Sequence, residues 1–229
     1  NFSGAIIGSS GGIDSALTAV IAADAIGPDK VKTFMMPFKY TAEMSIVDAS
    51  KLATNLGISH KVIDISKIFN SFETSLKDTF LGKDKDKTEE NLQSRARGVL
   101  LMAISNKLGL LVLTTGNKSE TAVGYSTLYG DTAGGFGVLK DVPKTWVYQL
   151  ADYRNSLSEV IPKRIIDRPP SAELSADQKD SDSLPSYEIL DEIIELYVEK
   201  DAGIEQIVSK GLNKKTVEEV VNLIDKNEY

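Results

Sequence analysis

Along the first half of the chain, short apolar runs alternate with longer stretches in which apolar residues return at every third or fourth position. The short runs at residues 5–7, 31–36, 61–65 and 110–114 read as strands, and the stretches at about 13–26, 42–56, 66–81 and 89–108 read as helices. The last helix shows the pattern well, because Leu92, Ala96, Val99, Leu100 and Ala103 form one stripe. Alternation of this kind is the signature of βαβ units, so the expected fold is α/β, a doubly wound and mostly parallel sheet with helices on both faces. A short helix near 117–124, a glycine-rich loop at 125–137 and a helix from about Pro143 follow, and two amphipathic helices at 187–199 and 214–226 close the chain. Residues 82–90 carry no apolar side chain and 168–185 are rich in proline, serine and aspartate, so neither segment is expected to add to a core.

Composition narrows the function. With 229 residues the chain has material for one α/β domain, and nothing in it suggests a second core. There is no apolar run long enough for a membrane span and no charged-then-apolar leader, so a soluble, cytoplasmic enzyme is expected. Because the chain opens on Asn1 and enters its first strand almost at once, it is expected to be a fragment of something longer. It has no cysteine, which removes disulfides, thiolate metal sites and cysteine nucleophiles. Its net charge is −7 with lysines and acids interspersed, which disfavours a nucleic-acid substrate.

The chemistry concentrates at Ser10-Gly11-Gly12-Ile13-Asp14-Ser15, where the first strand turns into the first helix. Two glycines let a ligand approach the backbone, and the helix start adds positive partial charge, so the turn suits an anion such as phosphate. Asp14 beside an anion makes sense if Mg²⁺ bridges carboxylate and phosphate. The plainer alternative is a glycine-rich turn with Ser10 as N-cap and Asp14 placed to suit the helix dipole. The motif is neither the Walker loop nor the dinucleotide fingerprint.

Other candidates lie at the ends of later elements. Glu120 follows the fourth strand, where ligands of doubly wound sheets bind, and with Asp14 it would make a Mg²⁺ pair; Asn117 and Glu120 are equally a capping-box spacing. Lys144 stands in the first turn of a helix, against the dipole, which is either a functional placement or a tolerated surface lysine. Asn91 and Arg95 share a helix face, while Arg97 lies roughly 200° round from Arg95, so only one arginine can join Asn91 in a site. Arg97 is expected to face a neighbouring helix or a partner. His60 reads as structural, and Tyr125 and Tyr129 can stack on a ring.

The hexapeptide resembles the pyrophosphate-binding loop of the ATP pyrophosphatases, which split ATP into AMP and pyrophosphate to activate a substrate. Met36-Pro37, Asn91-Leu92-Gln93-Ser94-Arg95-Ala96-Arg97, Thr115-Gly116-Asn117-Lys118-Ser119-Glu120, Tyr129-Gly130-Asp131 and Pro170-Ser171-Ala172-Glu173-Leu174 match in order and spacing. Together they resemble NAD synthetase over nearly the whole chain, particularly the synthetase domain of the glutamine-dependent form. The resemblance implies an adenine-nucleotide alpha-hydrolase-like fold and a ligase that adenylates deamido-NAD with ATP and amidates it with ammonia. It implies ATP contacts from Gly8, Ser9, Ser10, Gly11, Gly12, Ile13, Asp14, Ser15, Met36, Thr115, Lys144 and Ser171, with Asp14 and Lys144 catalytic. Asp14 and Glu120 would bind Mg²⁺; Asn91, Arg95 and Asp131 would bind deamido-NAD across a homodimer interface.

Residues 168–185 would then be a lid that orders over ATP, and a glutaminase domain or partner is expected outside the chain. Two features depart from the family pattern. Leu128 stands where ammonia-dependent members often carry a lysine that contacts deamido-NAD, and the chain stops at Tyr229 where the family usually continues into a basic segment. Competing readings are a GMP synthetase-like ATP pyrophosphatase and a non-catalytic adenine-nucleotide module; sulfur transfer to tRNA would want the cysteine that is missing.

Overall fold

The computed structural model describes residues 2–175, 178 and 180–227. Five parallel strands, β1 (Ala5–Gly8), β2 (Val31–Met35), β3 (Ser59–Val62), β4 (Leu111–Thr114) and β5 (Phe136–Gly137), form one sheet in the order β3-β2-β1-β4-β5. From β1 the chain winds outward through β2 to β3, then returns to the other side of β1 for β4 and β5. The order reverses between β1 and β4, which is where open α/β sheets place their ligands.

Alternation along β1 and β4 sorts the core. Ala5, Ile7 and Leu113 point to one face and join α1 (Ile13–Ile26), α2 (Glu43–Leu56), α6 (Lys144–Leu157) and α7 (Lys163–Asp167) in one apolar cluster. Ile6 and Val112 point to the other face and pack with Phe69 of α3 (Ser66–Leu76) and Leu101 of α4 (Lys87–Leu108). The expected two-faced, parallel α/β architecture is therefore the observed one. A third cluster stands apart from the sheet. It unites α8 (Tyr187–Ile194), which runs on as a π-helical stretch Glu195–Glu199, with α9 (Ile204–Ser209) and α10 (Lys214–Asn227), over Val123 beside α5 (Lys118–Ala122). No helix of the described residues is long and apolar enough to cross a membrane.

Several boundaries differ from the sequence reading. The third strand is Ser59–Val62 rather than 61–65, because Ile63 and Ile65 pack beneath the sheet after the strand has ended. α3 stops at Leu76, five residues short of the expected end at 81. α4 starts at Lys87, inside the segment read as loose, because Asp86 and Glu89 form a reciprocal capping box. β5 arises within the expected glycine-rich loop, and α7 and α9 were not foreseen from periodicity.

Candidate active site

The loop from β1 to α1 is held open by its own side chains. Gly11 sits at φ 79, and a Cβ there would lie 2.4 Å from the Ser45 carbonyl oxygen, so only glycine fits. The N-cap of α1 is Gly12 and not Ser10, and no side chain caps the helix. Ser10 instead accepts the Gly12 N–H through Oγ at 3.2 Å, and Ser15 Oγ donates to the Gly12 carbonyl at 3.1 Å. These bonds shape the turn and leave first-turn N–H groups of α1 without a side-chain partner, the arrangement that suits an anion.

Three charged side chains meet at that turn, one of them its own Asp14. Lys144, the first residue of α6, is 2 % exposed, and its Nζ lies 2.5 Å from Asp14 Oδ2 and 3.1 Å from Glu120 Oε1. Burial works against the lysine's charge, but the two carboxylates outweigh it and hold its pKa well above the ordinary value. Burial raises Glu120 and the Asp14 charge adds to it; Lys144 offsets part of the rise, so Glu120 is pushed up to about 7. Asn117 donates from Nδ2 to Asp14 Oδ1 at 2.8 Å and accepts the Glu120 N–H at 2.9 Å. It therefore caps α5 and aims Asp14 at once. The capping box expected of Asn117 and Glu120 is only half made, because the Glu120 side chain goes to Lys144.

A cleft of about 260 Å³ opens over these groups. Residues Gly8 to Ser15, Met36, Thr115, Glu120, Asp131, Lys144 and Ser171 all line it, so every residue expected to touch ATP borders one space. Asn91 and Arg95 do not line it. Asn91 accepts from Thr127 Oγ1 at 2.9 Å, and the exposed Arg95 donates from Nε to the Leu128 carbonyl at 3.2 Å. The two share a face as helix geometry requires, but that face meets the 127–128 loop. Arg97, expected to point elsewhere, lines the cleft and donates from Nε to the Met36 carbonyl at 2.9 Å. Burial lowers Arg97 to about 10 and raises Asp131.

Residues 168–185 were expected to lack the means to hold themselves in place. Instead Arg168 donates to Ser45 Oγ at 2.6 Å and pairs with Glu173, and Glu173 accepts the Ala42 N–H at 3.2 Å. Gln93 Nε2 donates to the Leu174 carbonyl at 3.0 Å. Polar side chains thus fasten residues 168–174 to α2 and α4 as a wall of the cleft that Ser171 lines, its hydroxyl donating to the Gln178 carbonyl at 2.5 Å. Residues 176, 177 and 179 of the expected lid lie outside the described residues. Of the aromatic candidates Tyr125 lines the cleft and the largely exposed Tyr129 does not. His60 on the edge strand β3 pairs through Nδ1 with Thr33 Oγ1 of the neighbouring β2 at 2.9 Å, away from the cleft, and its burial lowers its pKa.

Sequence reasoning missed Asp180, a buried carboxylate in the cleft wall that accepts Tyr187 OH at 2.7 Å and Tyr125 OH at 3.3 Å. Its segment gave no periodic signal that would have singled it out. The donor set has the character of an oxygen site. Asp14 and Glu120 reach a single ammonium, so their oxygens converge, yet no group of three or more potential metal ligands converges among the described residues. Two convergent carboxylates without a full cage fit Mg²⁺, which prefers to complete its shell with substrate phosphates and water.

Comparison with known proteins agrees with this geometry. The chain is 59 % identical to a glutamine-dependent NAD(+) synthetase of Acinetobacter baylyi, a match that covers 100 % of the chain and 42 % of the relative. Among solved structures it is similar to a glutamine-dependent NAD+ synthetase of Acinetobacter baumannii in complex with adenosine diphosphate, at 52 % identity and TM-score 0.73, covering 100 % of this chain and 41 % of that one. It is also similar to an NMN synthetase of Francisella tularensis, at 26 % identity and TM-score 0.83, covering 99 % and 86 %. The chain thus spans about two-fifths of the length of its glutamine-dependent relatives. The NAD synthase family model matches residues 1–229, and with a glycine loop, a buried lysine and paired carboxylates meeting at the sheet's switch point, the chain belongs to that family.

Proposed function

We propose that this protein is an ATP-dependent amide-forming ligase that converts deamido-NAD to NAD with ammonia. The observation that carries the reading is Lys144 held between Asp14 and Glu120 opposite the uncapped start of α1. The nicotinate carboxylate oxygen attacks the α-phosphorus of ATP, and the bond to pyrophosphate breaks. Ammonia then adds to the activated carbonyl, AMP leaves with the bonding electrons, and the nitrogen loses a proton to solvent. Charge accumulates on pyrophosphate in the first step, where the Lys144 ammonium and the first-turn amides of α1 are already aimed, so little reorganisation is needed. Asp14 and Glu120 would hold Mg²⁺, which when bound supplies charge neutralisation at the phosphates. No side-chain nucleophile is required.

Asn91, Arg95 and Asp131 are assigned to deamido-NAD. Asp131 lines the cleft, while Asn91 and Arg95 sit beside it against the 127–128 loop, with Arg95 exposed where a second copy in a homodimer could reach it. Arg95→Ala should raise the apparent KM for deamido-NAD several-fold and leave that for ATP nearly unchanged, in steady-state kinetics. A change confined to the ATP KM would remove Arg95 from the acceptor site.

The reading is tested by mass spectrometry of the product from ATP, Mg²⁺, ammonium and deamido-NAD, in parallel with nicotinate mononucleotide, xanthosine monophosphate and no acceptor. The likeness to an NMN synthetase motivates the mononucleotide arm. NAD should form with ammonium and not with glutamine, since this chain has no cysteine to serve a glutaminase of the usual kind. Turnover with xanthosine monophosphate alone would replace the acceptor, and pyrophosphate release with none of them would overturn the reading.

A further inference from the structure

Helix α6 begins without a local cap. Pro143 occupies the N-cap position and its side chain accepts nothing, so the N–H groups of Lys144 and Thr145 need partners from elsewhere. Both find them. Ser119 Oγ accepts the Lys144 N–H at 2.8 Å, and Asp191 Oδ2 of α8 accepts the Thr145 N–H at 2.9 Å. Ser119 Oγ in turn donates to Asp191 Oδ1, so one carboxylate closes the network. Ser119 is fully buried and immediately precedes Glu120. The same bonds therefore tie the start of α5, which carries Glu120, to the start of α6, which carries Lys144.

One turn before Asp191 on α8, the Tyr187 ring lies 5.3 Å from Lys144 Nζ. α8 thus bears on the lysine from both ends, on its backbone indirectly, because Asp191 holds Ser119 and the neighbouring Thr145 amide, and on its ammonium through an aromatic face. The negative charge of Asp191 at the α6 N-terminus also compensates a dipole that disfavours a cation in the first turn. Asp191 does not border the cleft, and both of its carboxylate oxygens are engaged by Ser119 and the Thr145 amide.

We propose that Asp191, acting through Ser119 and the Thr145 amide, is a positioning residue that sets Lys144 and Glu120 in register, making the α8–α10 cluster part of the catalytic apparatus. The inference rests on the ligase reading for its consequence but not for its geometry. A displacement of about 1 Å in a catalytic group can cost on the order of a hundredfold in rate. Asp191→Ala should therefore lower kcat for pyrophosphate release roughly 10- to 100-fold with the ATP KM little changed. Asp191→Asn keeps one acceptor and should recover part of the loss.

A second readout does not use activity. In trace labelling with acetic anhydride followed by peptide mass spectrometry, Lys144 of the intact chain should react far more slowly than the exposed Lys163. Asp191→Ala should raise Lys144 labelling several-fold and leave Lys163 as it was. If the unaltered protein shows no ligase activity, the ligase reading fails and the labelling result alone judges the positioning role. A normal kcat in folded Asp191→Ala, or unchanged Lys144 labelling, would overturn it. Should the alanine variant not fold, the same comparison in Asp191→Asn and Ser119→Ala decides, and wild-type values in both would sink the proposal.

Discussion

Asp14→Asn should lower pyrophosphate release by about three orders of magnitude while the chain still folds. The side chain is isosteric and no core cavity is made, but one of the two carboxylates around Lys144 disappears. Asp14 accepts from Lys144 on one oxygen and from Asn117 on the other, and an asparagine, with a single acceptor oxygen, can serve only one of them. Glu120 remains to balance the lysine, so the loss of stability should stay near 1–2 kcal/mol, as seen in urea unfolding. If Asp14 merely suited the helix dipole, the stability change would be below about 1 kcal/mol and activity would survive. Near-normal turnover would remove Asp14 from the chemistry.

Lys144→Met tests the other side of the same ion cluster, and its effect should depend on pH. Methionine fills most of the lysine's volume, so the change isolates the charge. Turnover should fall about 10²- to 10³-fold. Stability at pH 8 should drop by roughly 3 kcal/mol, because two largely buried carboxylates lose their common cation. Glu120 is already raised to about 7 in the folded protein. A carboxylate raised on folding stabilises the fold below its unfolded pKa, and that contribution is lost as pH climbs through the folded value. Removing Lys144 takes away the group that holds Glu120 down, so its pKa should rise further. At pH 5 Glu120 carries a proton in both proteins, and the variant's deficit should be much smaller than at pH 8. Equal deficits in urea unfolding at the two pH values would contradict the coupling.

The two variants also separate stability from chemistry. Asp14→Asn leaves a neutral acceptor where a charge stood, whereas Lys144→Met leaves charges unpaired, and only the second should carry a strong pH-dependent penalty.

Local rules made the centre of the site legible. A glycine pair at a strand-to-helix turn, a carboxylate in the first helical turn and a lysine set against a dipole are visible in short windows, because backbone conformation and helix dipoles act over a few residues. Short continuous apolar runs between helical stretches likewise specified a two-faced parallel sheet, since a strand buried on both faces must be apolar throughout. The two arginines of α4 show the limit. Helix geometry put them on opposite sides, but which side meets the cleft depends on how α4 rotates against the sheet, and Ile6, Val112 and Leu101 decide that through packing. Residues 168–174 looked unable to hold a position because their partners, Ser45 and Gln93, belong to helices distant in sequence.

The sequence by itself thus determined the α/β class and singled out the glycine turn, Asp14, Glu120 and Lys144 as candidates, and the fold brought the three charges together. Only the tertiary structure decided that Arg97 rather than Arg95 borders the cleft, that β5 exists, and that α8 reaches back across 46 residues to cap α6. β5 is two residues long and has no pattern of its own; it forms because β4 offers a free edge to pair with. The cap on α6 is equally non-local. An orphaned N–H group fixes the need for an acceptor, and only the packed fold settles which acceptor comes within reach.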